Sequence, residues 1–276
     1  MPELPEVETT RRGLEPYLTQ QTVTHLVVRN GKLRWPVDPE LHKHLCGQSI
    51  LEVTRRAKYL ILKFSHGSLM IHLGMSGSLR ILSLDGKDEH PVQKHDHIDI
   101  QLSNDKILRY RDPRRFGAMI WTELPLEQHK LIAHLGPEPL SQDFTGIAFY
   151  KSCMKRNRSI KQQIMDSSIV VGVGNIYANE ALFLAGMHPA TPSQQITKKQ
   201  AALLVTIIQQ VLTAAIEQGG TTLKDFYNIE GKPGYFVQQL RVYGRKNEPC
   251  VHCSSPIQLL KQGQRSSFYC PKCQIY

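Results

Sequence analysis

Between about residue 22 and residue 122 the chain runs as short apolar or alternating segments: Thr22–Val28, Ile50–Thr54, Tyr59–Phe64, Leu69–Leu73, Leu79–Leu82, Ile98–Leu102, Ile107–Arg111 and Met119–Trp121. Polar tetrads, Ser65-His66-Gly67-Ser68 and Ser103-Asn104-Asp105-Lys106, read as hairpin turns between them. Strands this short, with this turn chemistry, predict an antiparallel sandwich or barrel. The polar stretch Asp85–Asp96 reads as a loop.

The periodicity changes after Leu124, where Pro137-Glu138-Pro139 offers a hinge. Helical spacing recurs over Phe144–Met154, Ile160–Met165, Asn175–Ala185 and, most clearly, Lys198–Gln218. In the last of these Leu204, Ile208, Val211 and Ala215 line one face, Thr197 suits the cap, and Gly219-Gly220 suits the end. A further helix is expected from about residue 5 to about residue 18: Pro5 fits a first-turn position, Glu6 and Glu8 favour the positive dipole end, and Val7, Leu14 and Leu18 share a face.

With 276 residues, 41% of them hydrophobic, the chain can build two ordinary domains. Lys and Arg number 34 against 24 acids, a net charge of +10, which points to a polyanionic partner. Lys151, Lys155, Arg156, Arg158 and Lys161 follow one another without an acid, and six basic residues after residue 240 face the single Glu248. No run reads as a bilayer span, and the acidic start is the reverse of a secretory signal, so an intracellular location is expected.

In that setting close cysteine pairs read as metal ligands. Cys250-x2-Cys253 and Cys270-x2-Cys273, separated by sixteen residues, supply two tight turns of paired thiolates for one closed tetrahedral site, a structural zinc ion. His252, between two ligands, is expected in solvent; Cys46 and Cys153 are expected as buried free thiols.

The opening residues, Met1-Pro2-Glu3-Leu4-Pro5-Glu6, admit two readings. As structure they shape a helix entrance. As chemistry, loss of Met1 would free a secondary amine with an ordinary pKa of about 8 beside two carboxylates, able to form a cationic iminium with a sugar carbon. Other segments place backbone freedom or apolar mass near charge: Val171-Gly172-Val173-Gly174-Asn175 before a helix, Gly74-Met75-Ser76-Gly77, and Asp112-Pro113-Arg114-Arg115-Phe116-Gly117.

Taken in order along the chain, these segments, with Arg56-Ala57-Lys58-Tyr59-Leu60, His72-Leu73, Lys94-His95-Asp96-His97, Gly231-Lys232-Pro233-Gly234-Tyr235-Phe236 and Gln264-Arg265, resemble bacterial formamidopyrimidine-DNA glycosylases from end to end. The resemblance implies an α+β fold: an N-terminal helix and antiparallel β-sandwich over residues 1–124, a helical domain with a helix-two-turns-helix motif over 125–240, and a four-cysteine zinc finger over 241–276. It implies a base-excision repair enzyme that removes oxidised purines through a Schiff base on Pro2 and then nicks the strand by β- and δ-elimination. Glu3 is implied as the acid assisting ring opening and base loss, Glu6 as its support, Lys58 as the lysine of β-elimination, and Arg265 as the cation of δ-elimination. Met75, Arg114 and Phe116 are implied as the wedge filling the emptied stack, with Arg114 meeting the orphaned cytosine. His95, Arg156, Asn175 and Tyr235 are implied at the DNA backbone, and Glu217–Asp225 with Gly231–Phe236 over the everted base.

The expected partner is double-stranded DNA with oxidised purines or abasic sites, bound by a monomer in the bacterial cytoplasm. Two other readings stand beside this one. An endonuclease VIII-type enzyme shares Pro2, Glu3, Lys58 and the finger but prefers oxidised pyrimidines; Leu4, Val7-Glu8-Thr9 and the wedge set favour the purine enzyme. A noncatalytic zinc protein that binds DNA would not need Pro2, Glu3 and Lys58 together.

Overall fold

The computed structural model describes residues 2–84, 91–221 and 236–276. The chain divides into two compact units, Met1–Ala133 with Gln218–Tyr235, and His134–Glu217 with Phe236–Tyr276.

The first unit opens with helix α1 (Leu4–Leu18), whose N-terminus is closed by a capping box between Glu3 and Glu6 with Pro5 in the first turn. Strands β1 (Val23–Val28), β2 (Glu52–Arg56), β3 (Tyr59–Phe64), β4 (Gly67–His72), β5 (Ser78–Ser83), β6 (Asp96–Leu102), β7 (Lys106–Arg111) and β8 (Ala118–Thr122) follow, with the short helix α2 (Leu41–Leu45) between β1 and β2. They form two four-stranded sheets, ordered β1-β6-β7-β5 and β2-β3-β4-β8. Every pairing is antiparallel. Leu60, Leu62, Leu69 and Ile71 from one sheet and Leu79, Ile98, Ile100, Leu108 and Tyr110 from the other enter a single core, which Val7, Leu14 and Leu18 of α1 complete. This is the expected sandwich, and α1 packs on β2 and β3.

All eight expected strands are present. The second expected strand is shifted from Ile50–Thr54 to Glu52–Arg56, because the Ile50 backbone instead pairs with Gln20 and Gln21. Helix α2 escaped the periodicity because five residues span little more than one helical turn.

The second unit contains α3 (Gly146–Cys153), α4 (Ile160–Ile164), α5 (Asn175–Leu184), α6 (Lys198–Glu217) and the hairpin β9 (Gln258–Gln262) and β10 (Arg265–Tyr269). Thr145 and Ser159 cap α3 and α4 through their hydroxyls. Helix α6 buries Leu204, Ile208, Val211 and Ala215, the expected face, and ends where Gly219 and Gly220 take φ of 73° and 81°. The structure corrects one expectation here. This 20-residue helix is long and apolar enough to cross a bilayer by length and composition. Half of its most apolar window is buried, and α3 and α5 pack against it, as for the core helix of a globular domain.

The zinc-finger hairpin was not expected from periodicity, since Ser267 alone among its strand residues is buried. It is held to the helices by polar contacts. Lys161 Nζ donates to Ser266 O and Ser267 Oγ, both at 2.8 Å, and Phe268 N donates to Asn179 Oδ1 at 2.7 Å. The chain entering the finger is anchored by buried Glu180, whose carboxylate accepts the backbone N–H groups of Arg241, Val242 and Tyr243.

Candidate active site and nucleic-acid interface

The capping box that starts α1 also fixes the chemistry-bearing residues. Pro2, Glu3 and Glu6 are buried. Glu3 N donates to Glu6 Oε2 at 2.6 Å, and Thr221 N donates to Glu6 Oε1 at 2.8 Å. Glu6 therefore ties the N-terminus to the segment leaving Gly219-Gly220. The approach is tight, since a Cβ on Gly220 would lie 3.0 Å from Glu6 Oε1.

Lys58 lies in the two-residue turn between β2 and β3, where Arg56 pairs with Tyr59. Ala57, just before it, has φ of 55°, an uncommon conformation for a residue with a Cβ. Arg55 holds it there: Nη1 donates to Ala57 O at 2.9 Å while Nε donates to Glu8 Oε2 at 3.1 Å. Burial would raise the Glu8 carboxyl, but Arg11, Arg12 and Arg55 outweigh it and hold the group below its ordinary value, so it stays charged. Burial, then the charges of Lys58 and Arg34, push the His72 imidazole down to about 4. Its Nδ1 is within hydrogen-bond reach of the Gly74 N–H, at 3.0 Å. At neutral pH the neighbour of Lys58 is thus an uncharged imidazole. Arg55 and His72 carried no role in the sequence reading beyond their place in or beside runs near Lys58 and Gly74, and Glu8 was read only as a residue of the N-terminal helix and its motif.

The three wedge residues come from two loops that meet. Met75 and Phe116 are 37% and 46% exposed, large apolar groups held at the surface. The Arg114 guanidinium lies 4.8 Å from the Phe116 ring centroid. The His95 carbonyl accepts from Asp112 N at 3.1 Å.

In the second unit Asn175 begins α5, but its Nδ2 donates to Ser266 O at 3.1 Å, so its amide nitrogen is engaged by the β9–β10 hairpin. Arg156 is not free either: Nη1 donates to Asp166 Oδ2 at 2.7 Å, and Arg158 pairs with the same carboxylate. Burial would raise Asp166, but Ser168 and Arg158 outweigh it and bring it down to about 2. The basic run Lys151–Lys161 is therefore not one open track, since Lys161 is buried and Arg156 and Arg158 are paired. Arg265 is exposed at the start of β10 and lines a pocket of about 340 Å³ with Arg158, Lys161 and Gln264. Tyr235 lies outside the described residues, as do residues 222–225 and 231–235 of the two segments expected over the everted base.

The sulfur atoms of Cys250, Cys253, Cys270 and Cys273 lie within 4.8 Å of one another, with closest pairs at 3.4 and 3.8 Å. Four Zn–S bonds of about 2.3 Å in a tetrahedron require sulfurs about 3.8 Å apart, so the cluster fits the ion. His252 is exposed beside it, against Phe183. Cys153 is buried, its thiol pushed up to about 12 by burial. Cys46 is only half-buried, at the edge of the sandwich core.

Three family models cover most of the chain: the formamidopyrimidine-DNA glycosylase N-terminal domain over residues 1–119, the H2TH domain of the same enzymes over 135–227, and a zinc finger found in FPG and IleRS over 247–275. The formamidopyrimidine-DNA glycosylase of Escherichia coli O7:K1 is 57% identical over 274 residues, 99% of this chain and 100% of that one. The chain belongs to the formamidopyrimidine-DNA glycosylase family.

Among solved structures, a Lactococcus lactis Fpg mutant in complex with Fapy-dG-containing DNA superposes with a TM-score of 0.89 at 34% identity, covering 99% of both chains. The Lactococcus lactis Fpg complex with abasic-site DNA gives 0.88 at 34% identity and the same coverage. The α+β architecture with an H2TH domain is therefore that of Fpg, and its four-cysteine finger holds one structural zinc ion. When bound, that ion supplies cross-linking energy to a hairpin with little core of its own.

Proposed function

We propose that this chain is a bifunctional DNA glycosylase and AP lyase of base-excision repair that acts as a monomer on oxidised purines in duplex DNA. Processing removes Met1, which turns the Pro2 amide into a secondary amine. The Pro2 nitrogen attacks C1′ of the everted nucleotide, the glycosidic bond breaks, and the base leaves. Glu3 assists opening of the sugar ring, and the resulting iminium makes the C2′ proton acidic enough for β-elimination. Glu6, accepting from Glu3 N and Thr221 N, sets the orientation of that start.

Lys58 stabilises the phosphate leaving in β-elimination. Arg265 serves the second, δ-elimination as a fixed positive charge, since a guanidinium does not release its proton near neutrality. Met75, Arg114 and Phe116 enter the gap left by the flipped base, whose extrusion costs a few kcal/mol. His95, Arg156, Asn175 and Tyr235 serve the phosphates without reading sequence. Arg156 would exchange Asp166 for phosphate on binding, and Asn175 positions the finger hairpin as well. The functional division we propose is 1–124, 125–240 and 241–276, in a bacterial cytoplasmic enzyme.

The observation that carries this reading is the buried Pro2-Glu3 start, capped onto α1 and clasped through Glu6, in a chain that also presents Lys58 on an adjacent hairpin. The test is borohydride trapping on a duplex containing 8-oxoguanine, with the N-terminal mass determined on the same sample. Met1-processed protein should yield a covalent adduct, Pro2→Gly should weaken it, and Glu3→Gln should abolish base release. Absence of any adduct from processed protein, or excision of thymine glycol alone, would overturn the reading.

A further inference from the structure

We propose that Asp112 is the positioning residue for base eversion, one buried carboxylate that sets the two wedge loops in a common register; this rests on the wedge reading of Met75, Arg114 and Phe116. Asp112 is fully buried and so cannot itself touch DNA. Its Oδ1 accepts from Ser76 Oγ at 2.7 Å and from Arg114 N at 3.2 Å, joining the loop that carries Met75 to the start of the loop that carries Arg114 and Phe116. Its Oδ2 accepts from Gly117 N at 2.9 Å and from Tyr110 OH at 3.0 Å, fixing the far end of the second loop to β7. The Ser76 hydroxyl also accepts from Arg114 N at 3.2 Å, and Asp112 O lies 2.8 Å from the buried His97 Nε2.

The backbones of the two loops touch as well. Gly74 has φ of 64°, and a Cβ there would come within 2.4 Å of Gly117 N and of the Phe116 carbonyl carbon. The loops therefore meet without side chains between them, and Asp112 is the charged group that accepts from both, from the Ser76 hydroxyl of the first and the Arg114 and Gly117 N–H groups of the second. An asparagine would keep the shape but replace one acceptor oxygen with an NH2 group. The hydroxyls of Ser76 and Tyr110 can turn to accept from it. The Arg114 and Gly117 N–H groups cannot, so one end or the other of the loop that carries Arg114 and Phe116 loses its acceptor whichever way the amide points.

The test uses the full-length, zinc-loaded enzyme and two substrates: a duplex with 8-oxoguanine opposite cytosine, and single-stranded DNA with a preformed abasic site, where no stack has to be held open. Asp112→Asn should slow single-turnover excision from the duplex by about tenfold to a hundredfold while nicking of the single strand stays within about twofold. Ser76→Ala, which removes one donor and leaves the carboxylate, should give a smaller loss with the same split between substrates, and it carries the test by the same criteria if Asp112→Asn does not fold. Equal loss on both substrates, or no loss on either, would overturn the assignment. A Met75→Ala/Phe116→Ala double variant separates the two levels of inference. If it excises at the parental rate, the wedge reading fails and takes this one with it; if it is slow while Asp112→Asn is not, the positioning role alone is wrong.

Discussion

Two hairpins present Lys58 and Arg265, the cations that the proposed function assigns to the two elimination steps, and they use the same local device with different sources of rigidity. Lys58 lies in the turn between β2 and β3 behind Ala57 at φ 55°; Arg265 follows the turn between β9 and β10, in which Gly263 has φ of 58°. In each, a basic side chain clamps a carbonyl beside the working residue, Arg55 on Ala57 O and Lys161 on Ser266 O. The β2–β3 clamp comes from the same strand, backed by Glu8 on α1, within a four-stranded sheet. The β9–β10 pair is a two-stranded sheet, which does not stand alone in water. Its clamps, Lys161, Asn175 and Asn179, lie 105, 91 and 89 residues away from their partners, and its far end is closed by four cysteines. A cation on a sheet hairpin can be positioned by its neighbours in sequence, whereas one on a two-stranded hairpin needs metal and helices of the same unit that lie far away in the chain.

Metal removal gives the largest separation between the two. Chelation, or Cys250→Ser, should remove coupling energy on the order of 10 kcal/mol from the finger and leave the sandwich intact. Metal content, DNA affinity and two separate melting transitions check this, with only the transition of the second unit moving. Loss of both transitions together would mean that the hairpins do not differ as described.

Severing the clamps gives the next effect. Lys161→Met removes a buried donor from Ser266 O and Ser267 Oγ and should cost about 1 to 3 kcal/mol in the second unit. Arg55→Met releases Ala57 O, while Glu8 keeps Arg11 and Arg12, so its cost should be nearer 1 kcal/mol. On abasic DNA the first variant should accumulate the β-elimination product at the expense of the δ-product, and the second should slow formation of the β-product. A gel that resolves the two ends decides it; the same shift from both variants would erase the contrast.

The smallest effect is with pH. The Asp166 carboxyl, brought down to about 2 in the folded chain, lies below its ordinary value near 3.8. A depressed carboxyl contributes stability that is fully present above the unfolded value and lost as pH falls through the folded one. Asp166→Asn should therefore reduce the stability of the second unit at neutral pH slightly, and the difference from the parent should vanish as pH falls from about 4 to about 2. Acid titration of the second-unit transition measures it, with the discount due to a solvent-screened pair.

Short apolar or alternating runs were enough to locate all eight strands of the sandwich, one of them shifted by two residues, because each strand buries side chains in a core it shares with the opposite sheet. Helical spacing located α1, α3, α4, α5 and α6 within one or two residues at most ends. The zinc site was legible because two Cys-x2-Cys turns are a local geometric requirement. Pro2 was read as a nucleophile only in company, since a proline before a capped helix is as good a structural residue as a nucleophile.

What stayed hidden were contacts between residues far apart in the chain. Nothing in the order of residues joins Glu6 to Thr221, Lys161 to Ser266, or Ser76 to Asp112, separations of 215, 105 and 36 positions. The sequence by itself determined the element types, the metal ligands and the set of chemically competent side chains, because these depend on local spacing and residue type. Only the tertiary structure decided which of those side chains are held, by what, and which basic residues are already paired. Hydrogen bonds and ion pairs act over a few ångströms in space, a distance that chain order does not encode.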